Sequence, residues 1–212
     1  MAKRKVSNPL ALAVLAALFE RSMHPYELAA MLKARGKEQS VRMNYGSLYT
    51  VVDALSRAGF IEPVDTFREG RRPERTVYAL TVSGRAELKE WLSEILRTPA
   101  KEYPEFESGL SLMPVLLPEE VVGLLEERVK ALDVRIAEVR AFMEQMRETG
   151  LRRLFIIETE YHEALLRAEH CWVRGLIAEF EGGSYEDLEA WRRWHASVIA
   201  ERGFAEEEES ML

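Results

Sequence analysis

The chain has 212 residues, 47% of them hydrophobic, which is enough for one large or two modest domains with a real core. Its net charge of −7 is unevenly held: residues 1–100 carry 16 Lys and Arg against 11 Asp and Glu, a balance of +5, whereas residues 101–212 carry 13 against 25, a balance of −12. The net charge therefore does not exclude a nucleic-acid binder. A basic half suited to phosphates precedes an acidic half suited to protein or small molecules. The single cysteine, Cys171, excludes an intrachain disulfide and zinc sites built on several thiolates, and points to a reducing cytoplasm.

Lys3-Arg4-Lys5 before the apolar run Leu10 to Phe19 imitates a secretory signal. Glu20-Arg21 follows directly, however, without a small-residue cleavage site, and such a run is too short to span a bilayer. No membrane association is expected, and the basic residues suit a phosphate-contacting arm. Pro9 fits the first turn of a helix capped by Asn8 or Ser7. Leu10, Ala13, Val14, Ala17 and Leu18 make that helix apolar nearly all round, so it should be central to a small bundle. Met23-His24-Pro25-Tyr26 breaks it. Pro25 opens a second helix to about Ala34 or Arg35, with Leu28, Met31 and Leu32 facing inward, and Gly36 ends it.

After a polar connection, Asn44 is suited to cap a third helix extending to Ala58. Leu48, Val51, Val52 and Leu55 recur at three- and four-residue spacing and define its buried face. Tyr45, Ser47, Tyr49, Thr50 and Arg57 are left on its sides and back. Gly59 sits where a helix end wants a left-handed residue. Phe60, Ile61 and Val64 then begin a strand that Thr76, Val77, Tyr78 and Leu80 return. Between them Arg68, Arg71, Arg72 and Arg75 crowd around Gly70 and Pro73. Three helices followed by an arginine-tipped hairpin outline a winged helix-turn-helix. Thr81 or Ser83 starts a fourth helix through Leu88, Trp91, Leu92, Ile95 and Leu96.

Thr98 to Pro104 holds two prolines, which forbid a continuous helix. From Pro118 to Thr149 a heptad seam runs through Val122, Leu125, Val129, Leu132, Ile136, Val139, Met143 and Met146, the stripe that packs along another helix. A second long helix is expected from about Leu151 to Glu181. One edge carries Ile157, Tyr161, Ala164, Ala168, Cys171, Gly175 and Ala178, and a neighbouring edge carries Phe155, Leu165, Trp172 and Leu176. Two apolar edges need two partners: the preceding helix for one, a second subunit for the other. Ser184 is expected to cap a last helix with Leu188, Trp191, Trp194 and Val198. The fold class expected is mainly α: a winged helix-turn-helix DNA-binding domain over residues 1–97, a linker and short helix over 98–117, a helical dimerisation and effector domain with two long helices over 118–203, and an acidic tail over 204–212.

The segments LALAVLAAL, MHPYELA, YGSLYTVVDALSRAGFI and GRRPERTVYALTVSGRAEL resemble, in order and spacing, the PadR family of bacterial transcriptional regulators. The resemblance is close over roughly residues 9 to 92, and similar only in kind beyond. Pro25 departs from it, because a glycine usually follows the histidine. The resemblance implies a recognition helix on Asn44 to Ala58, with Ser47 and Tyr49 in place of the family's Ser and Tyr. It also implies wing arginines that reach the duplex, a homodimer built by the C-terminal helices, and a repressor released by a small aromatic or lipophilic effector or a partner signal.

The residues expected at DNA are thus Asn44, Tyr45, Ser47, Tyr49, Thr50, Arg57, Arg68, Arg71, Arg72 and Arg75. Ser47 and Thr50 would mainly position the helix, because hydroxyls contact phosphates readily and bases ambiguously. Tyr45 is divided between DNA and core, and Asp53 should point away or pair with Arg57. The dimer interface is expected at Leu132, Tyr161, Ala164, Ala168, Cys171 and Gly175. No catalytic residue, cofactor or metal is expected. Glu158, His162, Glu169 and His170 lack the spacing of a helical di-metal site, and no phosphate loop or nucleophile motif stands out. Trp91, Trp172, Trp191 and Trp194 divide between core, interface and an aromatic pocket. The rival reading is a helical interaction or sensor protein whose winged helix binds a protein partner.

Overall fold

The computed structural model describes residues 6–37, 41, 45–67 and 75–202, with residues 45, 66, 67, 75 and 202 described by their backbone alone. The chain forms two compact units, Met1–Lys101 and Glu102–Leu212.

In the first unit, α1 (Pro9–Glu20) starts where the Asn8 side chain accepts from the Leu10 amide at 2.9 Å, resolving the choice of cap in favour of Asn8. Its residues Leu10, Val14, Leu15 and Leu18 lie at the centre of the core. Helix α2 (Pro25–Ala34) is capped by His24: the imidazole Nδ1 accepts from the Tyr26 amide at 3.0 Å, and the His24 amide donates to the Glu27 carboxylate at 3.0 Å. Helix α3 (Tyr45–Arg57) turns Leu48, Val51, Val52 and Leu55 into the same core. It ends as a helix must when a left-handed residue follows. Gly59 takes φ +78°, its amide bonds to the Ser56 carbonyl, and the Phe60 amide reaches back to the Leu55 carbonyl at 3.0 Å.

Strands β1 (Ile61–Phe67) and β2 (Arg75–Leu80) pair antiparallel, with Ile61 opposite Leu80 and Phe67 opposite Arg75. The register slips between Pro63 and Asp65, a bulge that accommodates a proline unable to donate to a ladder. Met23 exchanges both backbone hydrogen bonds with Tyr78, at 3.1 and 3.0 Å, and ties the α1–α2 turn to the hairpin. Helix α4 (Val82–Arg97) is capped by Thr81, whose hydroxyl oxygen accepts from the Gly84 amide at 3.0 Å. A Cβ on Gly84 would come within 1.9 Å of the Phe60 carbonyl oxygen, so the close approach of α4 to the α3–β1 turn requires glycine there. Leu88 and Trp91 are buried, whereas Leu92, Ile95 and Leu96 of the same helix are exposed.

The second unit opens with α5 (Glu105–Leu112) and a 3-10 turn at Met113–Val115. The long α6 (Pro118–Glu148) follows, its first turn closed by the Glu120 carboxylate accepting from the Leu117 amide at 2.7 Å. Helix α7 (Ile157–Glu181) runs back along α6, and α8 (Leu188–Arg202) completes the unit. All eight residues of the α6 seam are buried or half-buried. Their partner on α7 is a third stripe that neither expected edge includes: Thr159, Leu166, Val173 and Phe180, seven residues apart. Leu132 and Ile136 pack on Leu166, while Val121 and Leu125 pack with Val173, Phe180, Leu188 and Trp191. Burying each large apolar side chain is worth ~1.5–3 kcal/mol, so this hairpin is held largely by its seam.

Two further expectations are corrected. Helix α7 starts at Ile157, because Arg153–Phe155 forms a 3-10 turn in place of its first residues. Ser184 does not cap the last helix; its hydroxyl donates to the Glu179 carbonyl at the end of α7.

Candidate nucleic-acid interface

Helix α3 is amphipathic in the way a recognition helix must be. With Leu48 and Leu55 fully buried, Tyr49 is left 49% exposed, Thr50 is exposed and Ser47 is half-buried. The Thr50 hydroxyl donates to the Gly46 carbonyl at 3.0 Å, which holds it against its own helix while one lone pair stays open to an outside donor. Arg57 donates to Asp53 at 2.7 Å one turn earlier, as expected of that pair, so its charge is already balanced by a carboxylate. Tyr49 is thus the large aromatic side chain that this helix offers to solvent among the described residues.

The elements around α3 are fixed by polar contacts. Arg35 at the end of α2 holds the Glu20 carboxylate at the end of α1 with both guanidinium nitrogens, and this hydrogen bonding keeps Glu20 below the usual carboxylate range. The Thr81 and Ser83 hydroxyls both donate to the Gly59 carbonyl at 2.8 Å, clamping the exit of β2 to the end of α3. Hairpin and helix are thereby joined at one corner. Asn44 and the wing arginines Arg68, Arg71 and Arg72 lie outside the described residues, and only the backbone of Tyr45 and Arg75 is described. Arg75 stands at the open end of the ladder opposite Phe67.

In the second unit, Leu132, expected at a subunit interface, is buried within the chain against Leu166; the correction follows from the seam being filled by α7 of the same chain. Tyr161, Ala164, Ala168, Cys171 and Gly175 are instead all exposed, on the side of α7 that α6 does not cover. Leu165 and Trp172 beside them are about half exposed. Trp91 is in the core of the first unit, while Trp191 and Trp194 line a cavity of about 550 Å³. An adjoining cavity of about 590 Å³ includes Trp172 and Gly175. Met113 and Tyr185 line both cavities, and neither carries a signal in the sequence. Among the described residues, no group of three or more His, Cys, Asp or Glu side chains is placed to hold a metal ion. Glu169 pairs with Arg128 at 2.6 Å, and His170 lies 3.1 Å from Asp133. Among the described residues no helix is long and apolar enough to cross a membrane.

The first unit is a winged helix-turn-helix, and the chain joins it to a helical second unit. Residues 14–90 match the model of the Transcriptional regulator PadR-like family, so the winged-helix segment is a PadR-like domain. No curated protein matches it significantly. Similar folds occur in Bacillus subtilis PadR in complex with operator DNA, at 18% identity and a TM-score of 0.67 over 82% of this chain and 99% of that one. Bacillus subtilis PadR in complex with p-coumaric acid is similar at 17% identity and a TM-score of 0.65, over 81% and 98%. The Vibrio cholerae virulence activator AphA is similar at 19% identity and a TM-score of 0.61, over 82% and 98%. At these identities the likeness is one of fold, and it takes in the helical unit as well as the winged helix.

Proposed function

We propose that this protein is a cytoplasmic repressor that binds a pseudo-palindromic operator as a homodimer and releases it in response to a small aromatic or lipophilic effector. The observation that carries the reading is the division of α3, with one face sealed in the core and Tyr49 and Thr50 left outside. A helix of this kind enters the major groove by its N-terminal residues, here Asn44, Tyr45, Ser47, Tyr49 and Thr50. Arg68, Arg71, Arg72 and Arg75 on the wing would meet phosphates or the minor groove, and Arg57 would have to leave Asp53 to do so. The operator complex of the Bacillus subtilis protein supports the assignment of DNA, and its p-coumaric acid complex supports a small-molecule effector.

The homodimer is supported by α7, whose exposed Tyr161, Ala164, Ala168, Cys171 and Gly175 form one face. Small residues there let a second α7 approach closely, while Leu165 and Trp172 supply area. Two subunits held this way would present their recognition helices about one helical turn of DNA apart. An effector that prefers one dimer geometry by about 100-fold shifts the equilibrium by about 2.7 kcal/mol, enough for a visible release.

Gel shift against the DNA upstream of the protein's own coding sequence tests the reading. Retarded complex with two chains per duplex is expected, together with loss of retention in the Arg71→Ala/Arg72→Ala double variant. A folded protein that retards no upstream DNA, yet is retained by a protein partner through the winged helix, would favour the rival interaction module.

A further inference from the structure

We propose that the cavity between the Met113–Val115 turn and α8 is a binding site for lipophilic organic cations. The inference deepens the effector part of the function proposed above, and rests on it only where DNA release is concerned. The cavity holds about 550 Å³, within the range that takes up a drug-sized molecule. Its walls are the rings of Trp191, Trp194 and Tyr185 and the aliphatic side chains of Leu112, Met113 and Val115.

The walls are held in advance. The Trp191 indole N–H donates to the carbonyl oxygens of Pro114 and Leu116, at 3.2 and 3.0 Å, and His195 Nε2 lies 3.0 Å from the Val115 carbonyl oxygen. With its N–H so engaged, Trp191 has only its ring to offer a ligand. Tyr185 is braced edge-on by Phe180, with ring centroids 4.8 Å apart, and Phe180 packs in turn on Trp191 at 5.9 Å.

The sign of the ligand's charge follows from the polar groups. Among the described residues of the lining, Asp187 is the only charged one, and none is Lys, Arg or His. The Ser111 hydroxyl, also in the lining, is already donated to the Ser108 carbonyl at 2.8 Å. Asp187 is exposed at the mouth of the cavity. Because a carboxylate accepts and cannot donate, it favours a ligand that brings a positive charge or N–H groups over one that brings an anion. Arg192, the neighbour of Trp191 in sequence, is held by Glu119 and Glu189 and so does not neutralise Asp187. The faces of Trp and Tyr attract cations within about 6 Å of the ring centre, adding to the same preference. The −12 balance of residues 101–212 raises the local concentration of cations around the site.

Isothermal titration of the full-length protein with tetraphenylphosphonium and tetraphenylborate, ions of nearly equal size and shape, isolates the charge. The phosphonium is expected to bind at least about tenfold more tightly than the borate. Asp187→Asn should weaken the phosphonium by about five- to tenfold and reduce the discrimination, while Trp194→Ala should weaken both ions. Trp194 is half exposed, so its removal leaves the core intact, and matching melting temperatures would verify this. Equal or tighter binding of the borate, full discrimination in the Asp187→Asn variant, or no heat from either ion up to millimolar concentration would overturn the inference. Gel shift without either ion reports DNA binding separately. Retarded DNA with no phosphonium binding defeats the cavity alone, and phosphonium binding without retarded DNA defeats the regulator reading alone.

Discussion

The two units solve the problem of burying apolar surface in different ways. In the first, every helix and the hairpin converge on α1, and Leu10, Val14, Leu15, Met23, Leu28, Leu48 and Leu55 are completely shielded. In the second, α6 and α7 bury a seam seven residues apart, yet Tyr161 remains 66% exposed and Trp172 52% exposed. The first has a fully shielded core in a basic segment, with Val82, Ile95 and Leu96 of α4 left exposed outside it; the second leaves the flank of its longest helix pair exposed in an acidic segment. A finished core gives α3 a rigid seat, which positioning against a groove demands. Leftover apolar surface is what assembly and ligand capture use.

Truncation at matched leucines should break the symmetry between the units most sharply. Leu15→Ala is expected to destabilise the first unit by about 3 kcal/mol in urea unfolding, because it leaves a cavity among fully buried neighbours. Leu165→Ala, on the uncovered side of α7, should change the unfolding free energy of the dissociated chain, measured at low protein concentration, by less than about 0.5 kcal/mol, as for a substitution made at a surface. A loss at Leu165 equal to that at Leu15 would mean that α7 is already covered within the chain. Next in size is Gly84→Ala, expected to cost about 2–3 kcal/mol in thermal unfolding because the Phe60 carbonyl must move away.

Charge inserted on the uncovered face of α7 sharpens the comparison from the other side. Ala168→Glu should raise the concentration at which the dimer dissociates by at least tenfold, about 1.4 kcal/mol, as read by light scattering, with helix content unchanged. A dimer of undiminished strength would move the interface elsewhere. The smallest effect belongs to Glu20→Gln at the α1–α2 corner. Arg35 lowers the pKa of Glu20, so the pair's stabilisation is present above the ordinary carboxylate value and is lost as the pH falls through the lowered one. The cost at pH 7 should stay below about 1 kcal/mol, because both side chains are largely solvated, and should vanish in acid.

The winged helix was legible because its signals are local. Pro9, Pro25, Gly59 and Thr81 each mark an end by backbone chemistry, and the apolar spacing of α3 needs no knowledge of its partner. Gly84 was not, since its requirement arises from a carbonyl more than twenty residues away in the sequence. The α6 seam could be read, but its partner could not. On α7, Thr159, Leu166, Val173 and Phe180 compete as a seam with an edge of small residues from Ala164 to Ala178 and an edge carrying Leu165 and Trp172, and spacing alone does not rank the three. Leu132 was assigned to a subunit contact for the same reason: periodicity announces that a helix is packed, not which helix packs it. Asp187 carries no motif, and although helical spacing sets it on the same face as Trp191 and Trp194, only the fold brings Met113–Val115 against that face.

The salt dependence of operator affinity tests the central claim most directly. Fluorescence anisotropy of a labelled upstream duplex, titrated at several salt concentrations, gives the slope of log affinity against log salt. Arg71→Ala/Arg72→Ala removes two phosphate contacts per subunit, four per dimer, and should reduce that slope by about four units. An unchanged slope, in a variant that still folds and still binds, would contradict the wing as a phosphate-contacting element.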